Sequence, residues 1–193
     1  RRPPRSTLSP SSAASDVYKR QTPYYIDLKL IPSFPDTFRL VCEFCVYLIR
    51  EELGTEGFDR VAGIPTAGMA FASLIAYHFN KPFVYIRQRV KVSGRERRIE
   101  GVLMPGDRVL LVDDLVTTGL SLKRAADIIR AEGGRVSDAF VLLDRMEGGR
   151  ERLAREGIRL HYLTTIDNVA KKLYEMNAIT EDEMKTILSQ IKR

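Results

Sequence analysis

Two adjacent carboxylates, Asp113 and Asp114, follow the apolar run Val109 to Val112 and precede Thr117, Thr118, Gly119 and Ser121. Hydroxyls and a glycine ahead of a helix predicted from Leu120 to Ala131 make a phosphate cradle, because the first N–H groups of a helix have no partner within it and carry its positive dipole end. Carboxylates repel phosphate, so the acids must face another part of the ligand. A ribose 5-phosphate meets both demands, with its phosphate in the loop and its hydroxyls on the acids. The plainer alternative is a strand end with an aspartate N-cap and a solvated neighbour. The joint occurrence of acids, threonines and glycine favours the ligand.

Such a site needs elements that hold it. Val109 to Val112, bounded by Pro105-Gly106, predicts a strand buried on both faces, with the acids at its carboxyl end, where open α/β sheets place ligands. Before it, the alternation of Tyr24, Ile26 and Leu28 predicts a strand, Ile31 to Asp36 a loop, and Asp36 an N-cap for a helix over 37–53 ended by Gly54. Residues 58–63 predict a short strand that runs into the small-residue turn Pro65, Thr66, Ala67 and Gly68, then a helix over 69–79. Residues 83–87 predict a strand. The charged, poorly periodic stretch 88–101 predicts a lid, and its basic excess points to an anionic ligand. Beyond the central motif come a strand over 135–144 ending at Asp144-Arg145, a helix over 147–156, a strand over 158–163 and a helix from Thr164 to about Met176. A capping box at Thr180 to Glu183 then opens a last helix over 184–191. This alternation predicts an α/β fold: an open, mainly parallel sheet flanked by helices, with right-handed crossovers and a small N-terminal hood over its carboxyl edge.

The 193 residues are enough for one domain with a sizeable core, and 44% hydrophobic and 29% charged content is that of a globular chain. No apolar run reaches the length of a membrane span. The net charge of +6 is concentrated at the start. Arg1, Arg2, Arg5, Lys19 and Arg20 stand against Asp16 there, so four of the six charges lie in residues 1–21 and the body is nearly neutral, and basicity argues little about partners. Residues 1–21 are rich in Ser, Pro and Arg without periodicity and are expected to be a disordered, non-native-looking tail. They read either as a transit peptide or, the preferred reading, as translated adapter sequence. The domain then covers 22–193, with its hood expected to be truncated. Cys42 and Cys45 fall in an apolar helical pattern with no second cysteine pair, and read as buried filler in a reducing, cytoplasmic compartment rather than as a redox or zinc site.

At Val112-Asp-Asp-Leu-Val-Thr-Thr-Gly119 the chain resembles the 5-phosphoribosyl-1-diphosphate (PRPP) motif of type I phosphoribosyltransferases. Four further stretches narrow the resemblance to the orotate phosphoribosyltransferases: Thr22-Pro-Tyr-Tyr-Ile-Asp-Leu-Lys29, Gly63-Ile-Pro-Thr-Ala-Gly68, Ile86-Arg-Gln-Arg-Val-Lys91 with Ile99-Glu-Gly101, and Leu142-Leu-Asp-Arg-Met-Glu-Gly-Gly-Arg150 with Leu163-Thr-Thr-Ile-Asp167.

The resemblance implies the following roles. PRPP is held by Asp113, Asp114, Leu115, Val116, Thr117, Thr118, Gly119, Leu120 and Ser121. Its diphosphate lies at Pro65, Thr66, Ala67 and Gly68, and is met by Arg87 and Lys91 of the lid. Lys91, Asp113 and Asp114 are the expected catalytic groups. Orotate is bound by Tyr25, Ile26, Thr117 and Arg145, with the guanidinium on its carboxylate. Mg²⁺ is the implied cofactor, carried by PRPP rather than by a dedicated set of protein ligands. The implied assembly is a homodimer that shares the lid, with neither membrane nor nucleic acid as a partner. The family's lid usually has a lysine where Gln88 stands and an aromatic where Ser93 stands. Those departures motivate one alternative, a PRPP-sensing regulator, and a transferase for another base is a further, closer one.

Overall fold

The computed structural model describes residues 24–87 and 98–191. The expectations for residues 1–21 and for Gln88, Lys91 and Ser93 lie outside the described residues. The described part builds a six-stranded sheet in the order β3-β2-β1-β4-β5-β6. The strands are β1 (Arg60–Gly63), β2 (Phe83–Ile86), β3 (Ile99–Glu100), β4 (Arg108–Val116), β5 (Arg135–Asp144) and β6 (Arg159–Thr165). All neighbours are parallel except β2 and β3. The helices are α1 (Pro35–Leu53), α2 (Gly68–His78), α3 (Leu120–Ala131), α4 (Gly149–Arg155), α5 (Ile166–Glu175) and α6 (Glu181–Leu188).

Successive residues of β4 point to opposite faces and seed two cores. Val109 and Leu111 pack with Ala125 and Ile129 of α3 and Leu153 of α4. Leu110 and Val112 pack with Cys45 and Ile49 of α1 and Phe71 and Ile75 of α2. Both cysteines are buried free thiols, and burial pushes Cys42 up to about 11 and Cys45 up to about 12, so they are protonated apolar filler at neutral pH. A third cluster caps the carboxyl edge: Leu143, Ile166, Ala170 and Ile187, with Tyr24, Ile26 and Leu28 against them.

The structure corrects several expectations. The predicted strand at Tyr24 to Leu30 is absent: Leu28–Ser33 is a 3₁₀ helix. Asp27 caps it by accepting from the Lys29 amide at 3.1 Å, a local bond that competes with an extended chain. Asp36 is not the N-cap of α1. Phe34 is, with Pro35 at the first turn and Asp36 within it. The central strand does not stop at Val112 but runs through both acids to Val116, because the ten-residue β5 offers it partners as far as Asp144. The last helix begins at Glu181, ahead of the expected Met184, and the expected capping box between Thr180 and Glu183 is present.

Charge closes the amino edge of the sheet. Arg108 donates to Asp59 from its amide at 2.8 Å, from Nε at 3.0 Å and from Nη2 at 2.7 Å. The Arg108 guanidinium holds the Asp59 carboxyl well below the usual carboxylate range. Beside that pair, Arg60 Nε donates to Asp107, which also accepts from the Met104 amide at 2.7 Å.

Candidate active site

At the carboxyl edge lies a cavity of about 380 Å³. Its walls are the acids of β4, the loop Thr117 to Gly119, the first residues of α3 and the turn Pro65 to Ala67. Segments some fifty residues apart in sequence therefore meet in one space, which is what the pairing of β1 with β4 achieves: Gly63 lies beside Val112, so the chain leaves both strands at the same level.

Gly119 starts α3 in the left-handed conformation at φ +75° and, with no side chain to cap the helix, leaves its first amide groups open to the cavity. The aspartate N-cap considered from sequence is therefore not formed. Gly68 serves a different purpose. A Cβ there would stand 2.7 Å from the Asp113 Cα and 2.8 Å from the Val112 carbonyl oxygen, so glycine is what lets the start of α2 press against β4. The Pro65–Thr66 peptide is cis.

The two acids differ. Asp113 is buried and its Oδ1 accepts from the Asp114 amide at 2.9 Å. Burial, followed by the hydrogen bond and charge of Asp114, raises the Asp113 carboxyl well above the usual range. Of the pair, Asp113 is therefore the acid that is harder to ionise. Asp114 is only partly buried and faces the same space. Among the described residues no group of three or more His, Cys, Asp or Glu could hold a metal ion. A pair of neighbouring carboxylates leaves most of a divalent ion's coordination to other oxygen donors, such as those of a polyphosphate.

Arg145 follows β5. Its amide donates to the Val116 carbonyl at 3.0 Å, and Asp144 Oδ1 accepts from the Met146 amide at 2.8 Å, so the turn is fixed to the end of β4. The buried guanidinium lies 4.8 Å from the centre of the Tyr24 ring. Its Nη2 is 2.9 Å from Glu147 Oε1, an ion-pair distance without hydrogen-bond alignment. Arg145 Nε and Nη2 and the Tyr24 hydroxyl are buried without an aligned partner among the described residues. Buried polar groups are normally completed by a partner, so these three atoms are available to a ligand.

The structure thus brings together Asp113 to Ser121 with Pro65, Thr66 and Ala67, and sets Gly68 behind them. Arg87 lines a neighbouring cavity that shares Ile64, Pro65 and Ser121 with the first. Tyr25 and Ile26 do not line the main cavity: Tyr25 is exposed and its hydroxyl accepts from Lys29 Nζ at 3.0 Å, while Ile26 packs into the cap cluster. Two groups escaped the sequence reading. Lys29 reaches the main cavity, and its cation in the stretch Tyr24 to Lys29 was the signal available. Tyr24, not Tyr25, carries the ring against Arg145, and nothing in the alternation distinguished them.

The Phosphoribosyl transferase domain family matches residues 38–158. The orotate phosphoribosyltransferase of Cenarchaeum symbiosum is 42% identical over 167 residues, 86% of this chain and 84% of that protein. The crystal structure of orotate phosphoribosyltransferase from Aeropyrum pernix superposes with a TM-score of 0.68 at 31% identity, covering 77% of this chain and 83% of that one. Leishmania donovani UMP synthase matches at a TM-score of 0.75 and 32% identity over 86% of this chain, which spans 35% of the larger protein.

Proposed function

The chain belongs to the orotate phosphoribosyltransferases within the phosphoribosyl transferase domain family, and we propose that the carboxyl-edge cavity is where it transfers 5-phosphoribosyl from PRPP to orotate. The reaction forms a bond between C1 of the ribose and a ring nitrogen of orotate as the bond from C1 to the diphosphate oxygen breaks. The products are orotidine 5′-phosphate and diphosphate, a step of pyrimidine biosynthesis.

The open amides of α3 and the hydroxyls of Thr117, Thr118 and Ser121 receive the 5′-phosphate. Asp113 and Asp114 receive the ribose hydroxyls. As the leaving group departs, C1 gains positive charge, and Asp114 beside it stabilises that charge. The turn Pro65 to Gly68 and Arg87 receive the diphosphate, and Lys91 is assigned to the same task. Asp113 and Asp114 are the residues that would meet Mg²⁺ bound with PRPP, and the ion would supply positive charge for the departing diphosphate. The Arg145 guanidinium takes the orotate carboxylate, with Tyr24 stacked on it, Thr117 near the base, and Tyr25 and Ile26 on the pyrimidine side.

The observation that carries this reading is the joining of the acid pair, the hydroxyl loop and the turn Pro65 to Ala67 in one cavity. The test is formation of orotidine 5′-phosphate that requires PRPP, orotate and Mg²⁺ together. Arg145→Ala raises the KM for orotate strongly if its carboxylate is bound there. An unchanged KM for orotate refutes the assignment of the base.

A homodimer is part of the same proposal. Leu40, Phe44 and Tyr47 are exposed on α1 at helical spacing, and such an apolar stripe supports burial against a second copy. Sedimentation of the protein at a twofold mass supports it, and a monomer at assay concentration refutes it. A cytoplasmic setting is proposed from the free thiols, and no described helix is long and apolar enough to cross a membrane.

A further inference from the structure

Beside the main cavity lies a second space of about 290 Å³, bordered by Arg87 at the end of β2, by Pro65 and by Ser121 and Arg124 of α3. It shares Ile64, Pro65 and Ser121 with the first, so the two spaces are neighbours across the turn assigned to the diphosphate. Arg124 follows Ser121 by three residues and so stands on the same side of α3, one turn deeper.

The cations of α3 are not alike. Lys123 Nζ lies 3.0 Å from Asp127 and 3.4 Å from Glu156. Arg130 donates to the carbonyls of Val136 at 2.8 Å and Glu156 at 3.0 Å. Arg124 is exposed and has no such partner among the described residues, although it lies on a helix that ties down its other cations. Arg87, across the space, pairs with Glu100. Two guanidinium groups with one carboxylate leave a positive surplus beside the turn assigned to the diphosphate, and an oxyanion bearing several charges balances it.

We infer that Arg124 is a further diphosphate-binding residue, which holds the leaving end of PRPP from the α3 side while Arg87 holds it from the β2 side. This rests on the proposed transfer reaction for its substrate, but not for its test. Binding of inorganic diphosphate with Mg²⁺ is measured by calorimetry without orotate, in parallel with ribose 5-phosphate. Arg124→Ala is expected to weaken diphosphate about tenfold, an effect of the size of one charge-assisted hydrogen bond, and to leave ribose 5-phosphate unchanged. Arg124→Lys restores part of the loss and Arg124→Glu deepens it. In turnover, the KM for PRPP rises with Arg124→Ala while the KM for orotate stays. An exposed helical arginine changed to alanine keeps the helix, and an unchanged melting temperature verifies that. Unchanged diphosphate affinity in Arg124→Ala overturns the inference, as does a loss confined to ribose 5-phosphate, or a wild-type protein that does not bind diphosphate. Absence of orotate turnover by a protein that binds diphosphate through Arg124 refutes the proposed reaction alone.

Discussion

At the amino edge of the sheet Arg108 grips Asp59 through three hydrogen bonds and Arg60 grips Asp107. At the carboxyl edge, among the described residues, Asp113 and Asp114 lie side by side with no cation paired to either, and Nε and Nη2 of Arg145 have no aligned acceptor although Glu147 lies at ion-pair distance. The same strand, β4, begins in the first arrangement and ends in the second. Charges that are meant to hold the chain are neutralised by one another, and they lower a carboxyl's affinity for protons. Charges that are meant to hold a ligand are left incomplete, and burial raises that affinity. The difference separates the groups that stabilise the fold from those that stabilise a reacting molecule.

Substitutions at the two edges test that division. The largest effect is expected at the carboxyl edge: Asp114→Asn lowers kcat/KM for PRPP about 10²- to 10³-fold, read by steady-state kinetics, while the melting temperature stays. A matching loss of stability would erase the distinction. Gly68→Ala comes next, because the new methyl group meets backbone atoms of Val112 and Asp113 that cannot turn aside. It costs about 1–3 kcal/mol in urea unfolding and also lowers turnover, since Asp113 is what must move. Asp107→Ala at the amino edge also costs about 1–3 kcal/mol, by leaving Arg60 and the Met104 amide without their acceptor, but its turnover at a temperature where it is folded equals that of the wild type.

The pH dependence is expected to have opposite signs at the two edges. Folded Asp113 keeps its proton where the unfolded chain has lost it, so above the ordinary aspartate range of about 4 the folded state binds more protons and stability falls as pH rises. Asp113→Asn flattens that slope in melting curves between pH 5 and 9. Asp59, held below the usual range by Arg108, contributes stability that is present above that range and lost as pH falls. The exposed Arg108 makes this the smallest effect, and Arg108→Met shifts the melting temperature only slightly.

Much of this was legible in the chain itself. Apolar runs such as Val109 to Val112 and Val141 to Leu143 mark buried strands by composition alone, and Asp-Asp followed by Thr-Thr-Gly marks the ligand edge. Other features depend on partners distant in sequence. The extension of β4 through its acids follows from the length of β5, which no local pattern in β4 records. Tyr24 to Leu30 alternates like a strand, yet Asp27 caps a 3₁₀ turn there and carries Lys29 to the cavity. Arg124 reads as one more exposed helical cation until its neighbours across the turn are seen. Lys91, the lid residue assigned from the sequence, lies outside the described residues.

The hydrogen bond from the Arg145 amide to the Val116 carbonyl has a thermodynamic meaning as well as a structural one. It ties the arginine assigned to the base to the last residue of the strand that leads into the phosphate loop. Whatever factor a bound phosphoribosyl donor contributes to the affinity for the acceptor, the acceptor must return to the donor, because coupling between two ligands on one protein is reciprocal. Titrating each substrate in the presence of the other would read that one factor twice.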